Sequence, residues 1–178
     1  MDANNFSSPH SRGQAFHCKL ISMIILGIDP GYDRIGIAVI EKSRSGNVLL
    51  FSECFTTDSK SPFYERLVKI GERLNEILDK FEPDVLSIET LFISKNQKTG
   101  MRVAEARGVI AVSAAKRGIP IFEYSPPEIK AAITSDGRSD KTQMIKMIPL
   151  LIKMKPGKRY DDEYDAIAAA LTHSARAR

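Results

Sequence analysis

The chain has 178 residues, of which 43% are hydrophobic and 27% are charged. This length and composition fit one globular domain with a sizeable core, and they exclude a disordered or fibrous protein. The apolar runs, such as residues 23–26 followed by Ile28, are far shorter than the roughly 20 residues that span a bilayer. We therefore expect a protein without a membrane segment, located in the cytoplasm.

Charge is distributed unevenly along the chain, whose formal net charge is +4. Residues 23–94 carry 8 basic and 12 acidic side chains, a balance of −4, whereas residues 95–178 carry 16 basic and 9 acidic ones, a balance of +7. A basic half of this kind is typical of a protein that binds a polyanion such as nucleic acid, although ordinary surface solvation produces it as well.

Residues 1–22 differ from the rest of the chain, because they are polar and show no periodic apolar pattern. We expect a disordered leader or a tag here, followed by a single folded domain over residues 23–178. The leader also lacks the pattern of a secretory signal peptide. The two cysteines, Cys18 and Cys54, have no metal-ligand spacing, and they favour a reduced intracellular protein over a disulfide-bonded one.

Three apolar segments open the domain, and each is predicted to be a strand. They cover residues 23–29, 34–41 and 47–55. Pro30 and Gly31 mark a turn after the first segment. Because the connections are short, the three strands are predicted to form an antiparallel meander.

Helices and two further strands alternate through the remainder of the domain. Apolar residues at helical spacing from Leu67 to Phe81 predict a helix, with Ser61 as its cap and Pro62 in its first turn. Strands are then predicted at 84–89 and 119–124, and helices at 97–117, 126–133 (capped by Ser125), 140–152 and 161–175. This order predicts an α/β fold with a five-stranded mixed sheet and helices on both faces.

Two acids, Asp29 and Glu89, close two of the predicted apolar strands. Burying an ionised carboxylate costs several kcal/mol unless a partner such as a divalent cation compensates it. Asp29 alone could simply cap its turn. If the two strands are parallel neighbours, however, the two carboxylates lie side by side, and Mg²⁺ would allow both to stay ionised.

A run of acids stands at the start of the last predicted helix. Such a run usually complements the helix dipole, but Asp162 and Asp165, or Asp161 and Asp165, are also spaced to share one helical face. The alanines at 166 and 168–170 would let this helix approach the sheet closely. An all-oxygen site completed in this way suits two metal ions about 3.5–4 Å apart that catalyse phosphodiester cleavage.

Six segments of the sequence, in order, carry a family resemblance. They are GIDPG at 27–31, SIETLF at 87–92, AEARGV at 104–109, FEY at 122–124, GRSDKTQM at 137–144 and DEYDAIAAALTH at 162–173. Together they resemble the RuvC family of bacterial Holliday-junction resolvases over nearly the whole domain. The resemblance implies a ribonuclease-H-like fold and a Mg²⁺-dependent crossover junction endodeoxyribonuclease that acts in DNA recombination and repair by paired, symmetric cuts.

The resemblance also implies roles for individual residues. The metal-binding carboxylates of the family match Asp29, Glu89, Asp162 and Asp165, which selects Asp162 over Asp161. Two Mg²⁺ ions per site are implied, and Mn²⁺ is expected to substitute. A four-way DNA junction is the implied substrate.

Three further residues match family positions that contact DNA. Phe92 matches an aromatic residue that stacks on an unpaired base at the junction, and Lys130 and Lys141 match lysines that contact phosphates. Two basic groups are further candidates for contacts with the DNA backbone, namely Arg102, Arg107, Lys116 and Arg117 on one helix, and Lys153, Lys155, Lys158 and Arg159.

The family implies a homodimer and branch-migration partners of the RuvA and RuvB type. Small residues at helical intervals, Ala104, Gly108, Ala111 and Ala115, could pack against their copies in a second chain. One departure from the family pattern is the pair Glu163 and Tyr164, where small residues are usual. If the helix keeps its register, both side chains point away from the metal site.

Three other functions compete with this interpretation. An ATP-using enzyme of the actin and sugar-kinase type would require a second phosphate-binding turn and a second lobe, which the sequence lacks. A non-catalytic nucleic-acid-binding protein would be expected to have lost one of the four acids. A related ribonuclease-H-like nuclease that acts on RNA or RNA–DNA hybrids is the main alternative, since it would share the metals and the fold.

Overall fold

The computed structural model describes residues 22–91 and 97–177. Its strands are β1 (Met23–Asp29), β2 (Arg34–Ser43), β3 (Gly46–Thr56), β4 (Val85–Glu89), β5 (Ile121–Tyr124) and β6 (Ile152–Lys153). They form one sheet in the order β5-β4-β1-β2-β3-β6. The first three strands make the predicted antiparallel meander, and β4 and β5 extend it in parallel beyond β1.

The prediction of five strands is wrong by one, because Ile152 and Lys153 form a sixth. The preceding helix was predicted to end at Ile152, but it ends at Leu151, two residues after Pro149. Ile152 instead adopts an extended backbone, is buried, and pairs in parallel with Asn47 of β3. Proline has no N–H to donate to the preceding turn of a helix, which weakens the helix at this point.

The described residues form five helices, which are α1 (Phe63–Phe81), α2 (Gln97–Ala115), α3 (Pro126–Thr134), α4 (Lys141–Leu151) and α5 (Asp161–Arg176). The prediction of Ser61 as the cap of α1 is wrong. Pro62 occupies the N-cap position, and the backbone N–H of Ser61 donates to Asp58 in the loop before it. Ser125 caps α3 as predicted, and its N–H donates to the Glu128 carboxylate at 2.8 Å.

Strand alternation divides the core between the two faces of the sheet. Ile25 of β1 and Ala38 of β2 contribute to a cluster shared with α3, α4 and α5. Their chain neighbours Leu26 and Ile37 face the opposite side of the sheet and contribute to a second cluster, which is shared with α1 and α2. The predicted helices on both faces are therefore confirmed.

Helix α5 lies directly on the central strands, because the sheet beneath it presents glycines. A Cβ atom added to Gly27 would lie 2.2 Å from the carbonyl oxygen of Ala166, and one added to Gly36 would lie 1.9 Å from that of Asp162. The buried hydroxyl of Ser87 in β4 donates to the Ala169 carbonyl at 2.6 Å. These contacts hold the first turns of α5 against the carboxyl end of β1.

Within the two described ranges, none of the helices combines the length and the apolar character needed to cross a membrane.

Candidate active site

The four predicted carboxylates come from three elements and converge at one edge of the sheet. Asp29 and Glu89 end the parallel neighbours β1 and β4, in which Ile28 is paired with Ile88. Strand alternation places both acids on the face that α5 covers. Asp162 lies in the first turn of α5, over the glycine that pairs with Asp29.

Electrostatics identify Asp29 as the centre of this group. The pKa of Asp29 is raised from 3.8 to about 7, mainly by burial and then by the neighbouring charges of Asp165, Glu89 and Asp162 in that order, against an opposing effect of Lys141. A carboxylate with three acidic neighbours is difficult to ionise without a cation.

The pKa of Glu89 is raised in the same way, but two lysines oppose the increase. Burial raises the pKa of Glu89, Asp165 adds to the increase, and the ammonium groups of Lys130 and Lys141 lower it. Both lysines therefore act on the acidic cluster, as the family resemblance implied that they would lie near it.

Two protein cations pair with the acids of α5. The Lys141 ammonium lies 2.8 Å from Oδ2 of Asp165 and 3.5 Å from the carboxylate of Asp161. The Arg34 guanidinium lies 2.8 Å from Oδ2 of Asp162. Lys141 thus offsets the charge of two carboxylates of α5, and Arg34 that of a third.

A thiol also contacts the site. Cys54 belongs to the adjoining strand β3, and its Sγ donates to Oδ2 of Asp162 at 3.5 Å. Burial raises the pKa of the Cys54 thiol, and the negative charge of Asp162 raises it further. Cys54 is therefore held as a neutral hydrogen-bond donor.

The four candidate carboxylates form a donor set that suits a metal ion by its chemistry. In the part of the chain that the structure describes, no three or more His, Cys, Asp or Glu side chains already stand in a ligand arrangement. Nevertheless, all four candidate donors are carboxylate oxygens, which Mg²⁺ prefers. The raised pKa of Asp29 shows that added positive charge at this point would be favourable. The residues therefore fit a magnesium centre by their chemistry.

A cavity of about 270 Å³ opens beside the acids and is the space available for a ligand. Charged side chains line one part of it and apolar ones the other; the lining residues are Glu89, Pro126, Ile129, Lys130, Lys141, Met144 and Asp165. Both predicted phosphate-contacting lysines thus lie at the cavity. Phe92, the predicted base-stacking residue, falls outside the described residues.

The two residues that depart from the family pattern are turned away from the acids. Glu163 accepts from the Ser52 hydroxyl at 2.7 Å and from the Tyr160 N–H at 3.0 Å, which caps the helix. Tyr164 packs against the core cluster on the α5 face of the sheet. The helix therefore keeps the register on which the assignment of Asp162 depended.

Several of the predicted DNA-backbone contacts have partners within the protein. Arg107 pairs with Glu123 and Arg117 with Asp79, each at 2.7 Å. Arg102 lies over the ring of Tyr32, 5.5 Å from its centroid. These contacts give Arg102 and Arg107 of α2, and Arg117 just after it, a role in the fold, and their contact with DNA stays a prediction.

Arg34 and Cys54 were missed by the sequence analysis. Both stand at the site because residues at alternate positions of β2 face α5, and Gly36 of that strand is paired with Cys54. The sequence signal for Arg34 was its position beside the apolar Ile35 at the start of β2, because neighbouring residues of a strand face opposite sides of the sheet. Nothing in the sequence, however, indicated which acid the arginine would pair with.

Comparisons with known proteins agree with this geometry. The family model described as "Crossover junction endodeoxyribonuclease RuvC" matches residues 25–173. The RuvC protein of Petrotoga mobilis is 40% identical over 151 residues, which cover 85% of this chain and 93% of that protein. The RuvC protein of Thermosipho melanesiensis is 41% identical over 148 residues, which cover 83% and 94%.

A solved structure extends the likeness to three dimensions. Thermus thermophilus RuvC in complex with a Holliday junction substrate superposes with a TM-score of 0.82 at 31% identity, covering 88% of this chain and 95% of that one. The predicted ribonuclease-H-like fold is therefore confirmed.

Proposed function

The chain belongs to the RuvC family of crossover junction endodeoxyribonucleases, and from this premise we propose that it resolves four-way DNA junctions by paired, metal-dependent cuts. The observation that carries the proposal is the convergence of Asp29, Glu89, Asp162 and Asp165 at one edge of the sheet. Residues 23–178 form the proposed nuclease domain, and the cytoplasm is its proposed location.

In the proposed mechanism, the four carboxylates hold Mg²⁺, two ions to a site, and Mn²⁺ substitutes for it. When bound, the ions supply an activated water and stabilise the leaving oxygen of an in-line displacement at phosphorus. Asp29 and Glu89 are fixed by the ends of paired strands, and Asp162 and Asp165 by a helix packed on glycine. This rigid support is what precise positioning of a phosphodiester requires.

Lys130 and Lys141 are proposed to bind phosphates of the strand that is cut. Both stand at the cavity beside Glu89, and Lys141 is held towards the acids by its ion pair with Asp165. A cation at this position draws the polyanionic backbone to the cluster of acids, which would otherwise repel it. Phe92 is proposed to stack on an unpaired base at the junction.

The proposed substrate is tested by offering the protein a synthetic four-way junction, a linear duplex of the same sequence and an RNA–DNA hybrid. We expect symmetric nicks in the junction in Mg²⁺ or Mn²⁺, because both metals take oxygen ligands. Gel analysis of end-labelled strands measures the products. Equal cutting of the linear duplex would contradict junction selectivity, and preferential cutting of the hybrid would favour a ribonuclease.

A homodimer is also proposed, since two sites are needed to cut two strands in one event. Helix α2 buries Ala106, Ile110 and Ala114 in the core cluster that it shares with α1 and the sheet. Its other side exposes the small and apolar residues Met101, Ala104, Gly108, Val112 and Ala115. We propose that this exposed side meets its copy in the second chain. Partners of the RuvA and RuvB type are proposed to deliver the junction.

We expect Val112→Glu to shift the protein from dimer to monomer, because the substitution buries a charge in the proposed interface. The matched control is Val68→Glu on α1, where the valine is 58% exposed compared with 53% for Val112. Sedimentation at several protein concentrations measures the oligomeric state. Equal dissociation of both variants, or a monomeric unmodified protein, would contradict the proposed interface.

A further inference from the structure

Arg34 lies at the edge of the acidic cluster and contacts one of the candidate metal ligands. It is the first residue of β2, and its guanidinium lies 2.8 Å from Oδ2 of Asp162. Its side chain is 50% exposed, whereas that of Asp162 is 17% exposed. The ion pair therefore joins a largely buried carboxylate, that of Asp162, to a guanidinium that is half exposed to solvent.

This contact is of a kind that another cation can replace. An ion pair that is half exposed to water contributes only about 0.2–1 kcal/mol. A divalent ion on the same carboxylate would also repel the guanidinium, because two cations a few ångström apart raise each other's energy. Arg34 and Mg²⁺ are therefore competitors for Asp162.

A second arginine in the same region shows the contrasting arrangement. Arg66 is only 5% exposed, and it donates to the Thr57 hydroxyl and the Tyr32 carbonyl, each at 2.9 Å, while also pairing with Asp33. Its contacts fix the turn between β1 and β2. Arg34 has no such buried anchorage among the described contacts, so its side chain can move without disturbing the fold.

We propose that Arg34 is a counter-ion that the metal displaces. In the metal-free protein it is a positioning residue, which holds Asp162 at the site in place of a divalent ion. When Mg²⁺ takes Asp162, the guanidinium is released beside the acidic cluster, where it binds a phosphate of the DNA. Guanidinium groups match the oxygens of a phosphate in charge and geometry. This inference rests on the proposed function, because it takes Asp162 to be a metal ligand.

The competition for Asp162 is tested by titrating Mg²⁺ into DNA-free protein in a calorimeter. We expect Arg34→Met to bind Mg²⁺ about two- to fivefold more tightly than the unmodified protein, in proportion to the lost ion pair. Arg34→Lys, which can restore the ion pair, should return the affinity towards the original value. The matched control is Arg44→Met.

Arg44 is exposed in the turn that follows β2, at the far end of the strand that begins with Arg34. Its replacement removes the same charge roughly 30 Å from the site, at about 3.3 Å per strand residue. We expect no change in Mg²⁺ affinity for this variant. An equal change for both methionine variants would overturn the proposal in favour of a general charge effect.

The release of Arg34 is tested by the salt dependence of junction binding, with and without a divalent ion. Ca²⁺ takes oxygen ligands as Mg²⁺ does, and it is used at a concentration at which gels show no cleavage. In EDTA we expect the unmodified protein and Arg34→Met to have the same slope of log affinity against log salt. In Ca²⁺ the slope of the unmodified protein should be steeper than that of Arg34→Met by about one, which is the value for one additional phosphate contact.

The possible outcomes separate the inference from the proposed function. A difference in slope of equal size in EDTA and Ca²⁺ would make Arg34 a permanent DNA contact and overturn the inference. No difference in either condition would make Arg34 purely structural, and would overturn it too. If the unmodified protein binds Mg²⁺ and cuts junctions in these cases, the proposed function stands. If it binds no Mg²⁺, the proposed function itself fails.

Discussion

Asp29→Asn is expected to abolish junction cleavage and, at the same time, to stabilise the metal-free protein at pH 8. The amide cannot bind Mg²⁺ as a carboxylate does, so we expect the cleavage rate to fall about a thousandfold or more, or about 4 kcal/mol of transition-state stabilisation. Stability rises because the amide has the size of a carboxyl group but none of its charge.

The sign follows from the pKa of Asp29, which rises from 3.8 to about 7 on folding. The folded protein holds this proton more tightly than the unfolded chain, so the stabilising contribution is complete below pH 4 and is lost as the pH rises through 7. The free energy of unfolding of the variant should therefore match that of the original protein near pH 4 and exceed it by about 2–4 kcal/mol above pH 7. Urea unfolding in EDTA across this range measures the difference.

The matched control for this experiment is Asp161→Asn. Asp161 is exposed at the start of α5 and belongs to the same run of acids, but it lies outside the proposed ligand set. We expect this variant to cut junctions and to show no comparable gain in stability. Retained cutting by Asp29→Asn, or a loss of stability in that variant at pH 8, would remove Asp29 from the site.

Gly36→Ala is expected to damage both the fold and the site, although the change adds a single methyl group. The new Cβ atom would lie 1.9 Å from the Asp162 carbonyl oxygen and 3.2 Å from Cβ of Asp29. Neither backbone can yield cheaply, so α5 must move away from β2. We expect a loss of about 1–3 kcal/mol of stability and about a hundredfold in cleavage rate, since a displacement near 1 Å is that costly.

This prediction is checked by urea unfolding and by single-turnover cleavage at a temperature where the variant is folded. Gly157→Ala is the control, because an added Cβ there meets no atom within 4 Å. It should leave stability and rate close to those of the original. A folded, fully active Gly36→Ala protein would show that the close contact of α5 with the sheet is not what positions Asp162.

The sequence was a good guide to the site because its acids end buried strands. An apolar run such as that of β1 is readable from the chain, and alternation decides which face Asp29 occupies. Helical spacing placed Asp165 on one side of α5 together with either Asp162 or Asp161, and the family resemblance selected Asp162. These features depend on local periodicity, which the sequence contains in full.

Features that depend on contacts between distant segments of the chain were harder to predict from the sequence. Strand β6 is two residues long and exists because β3 offers a pairing edge to Ile152. The pairing of Arg34 with Asp162 likewise depends on how closely α5 approaches β2. Ser61 had the right chemistry for a cap, yet the loop placed Pro62 at that position. In each case the deciding distance lies between segments far apart in the chain.

The alternation of β1 and β4 has a consequence for how this enzyme can change in evolution. In both strands, each residue that faces α5 is flanked by residues that face α1 and α2. Inserting one amino acid between Gly27 and Ile28 of β1 would turn the Asp29 carboxylate towards the opposite apolar layer and bring Ile28 to its place at the candidate site. Gain or loss of single codons is therefore tolerable in the connecting turns but not in these strands.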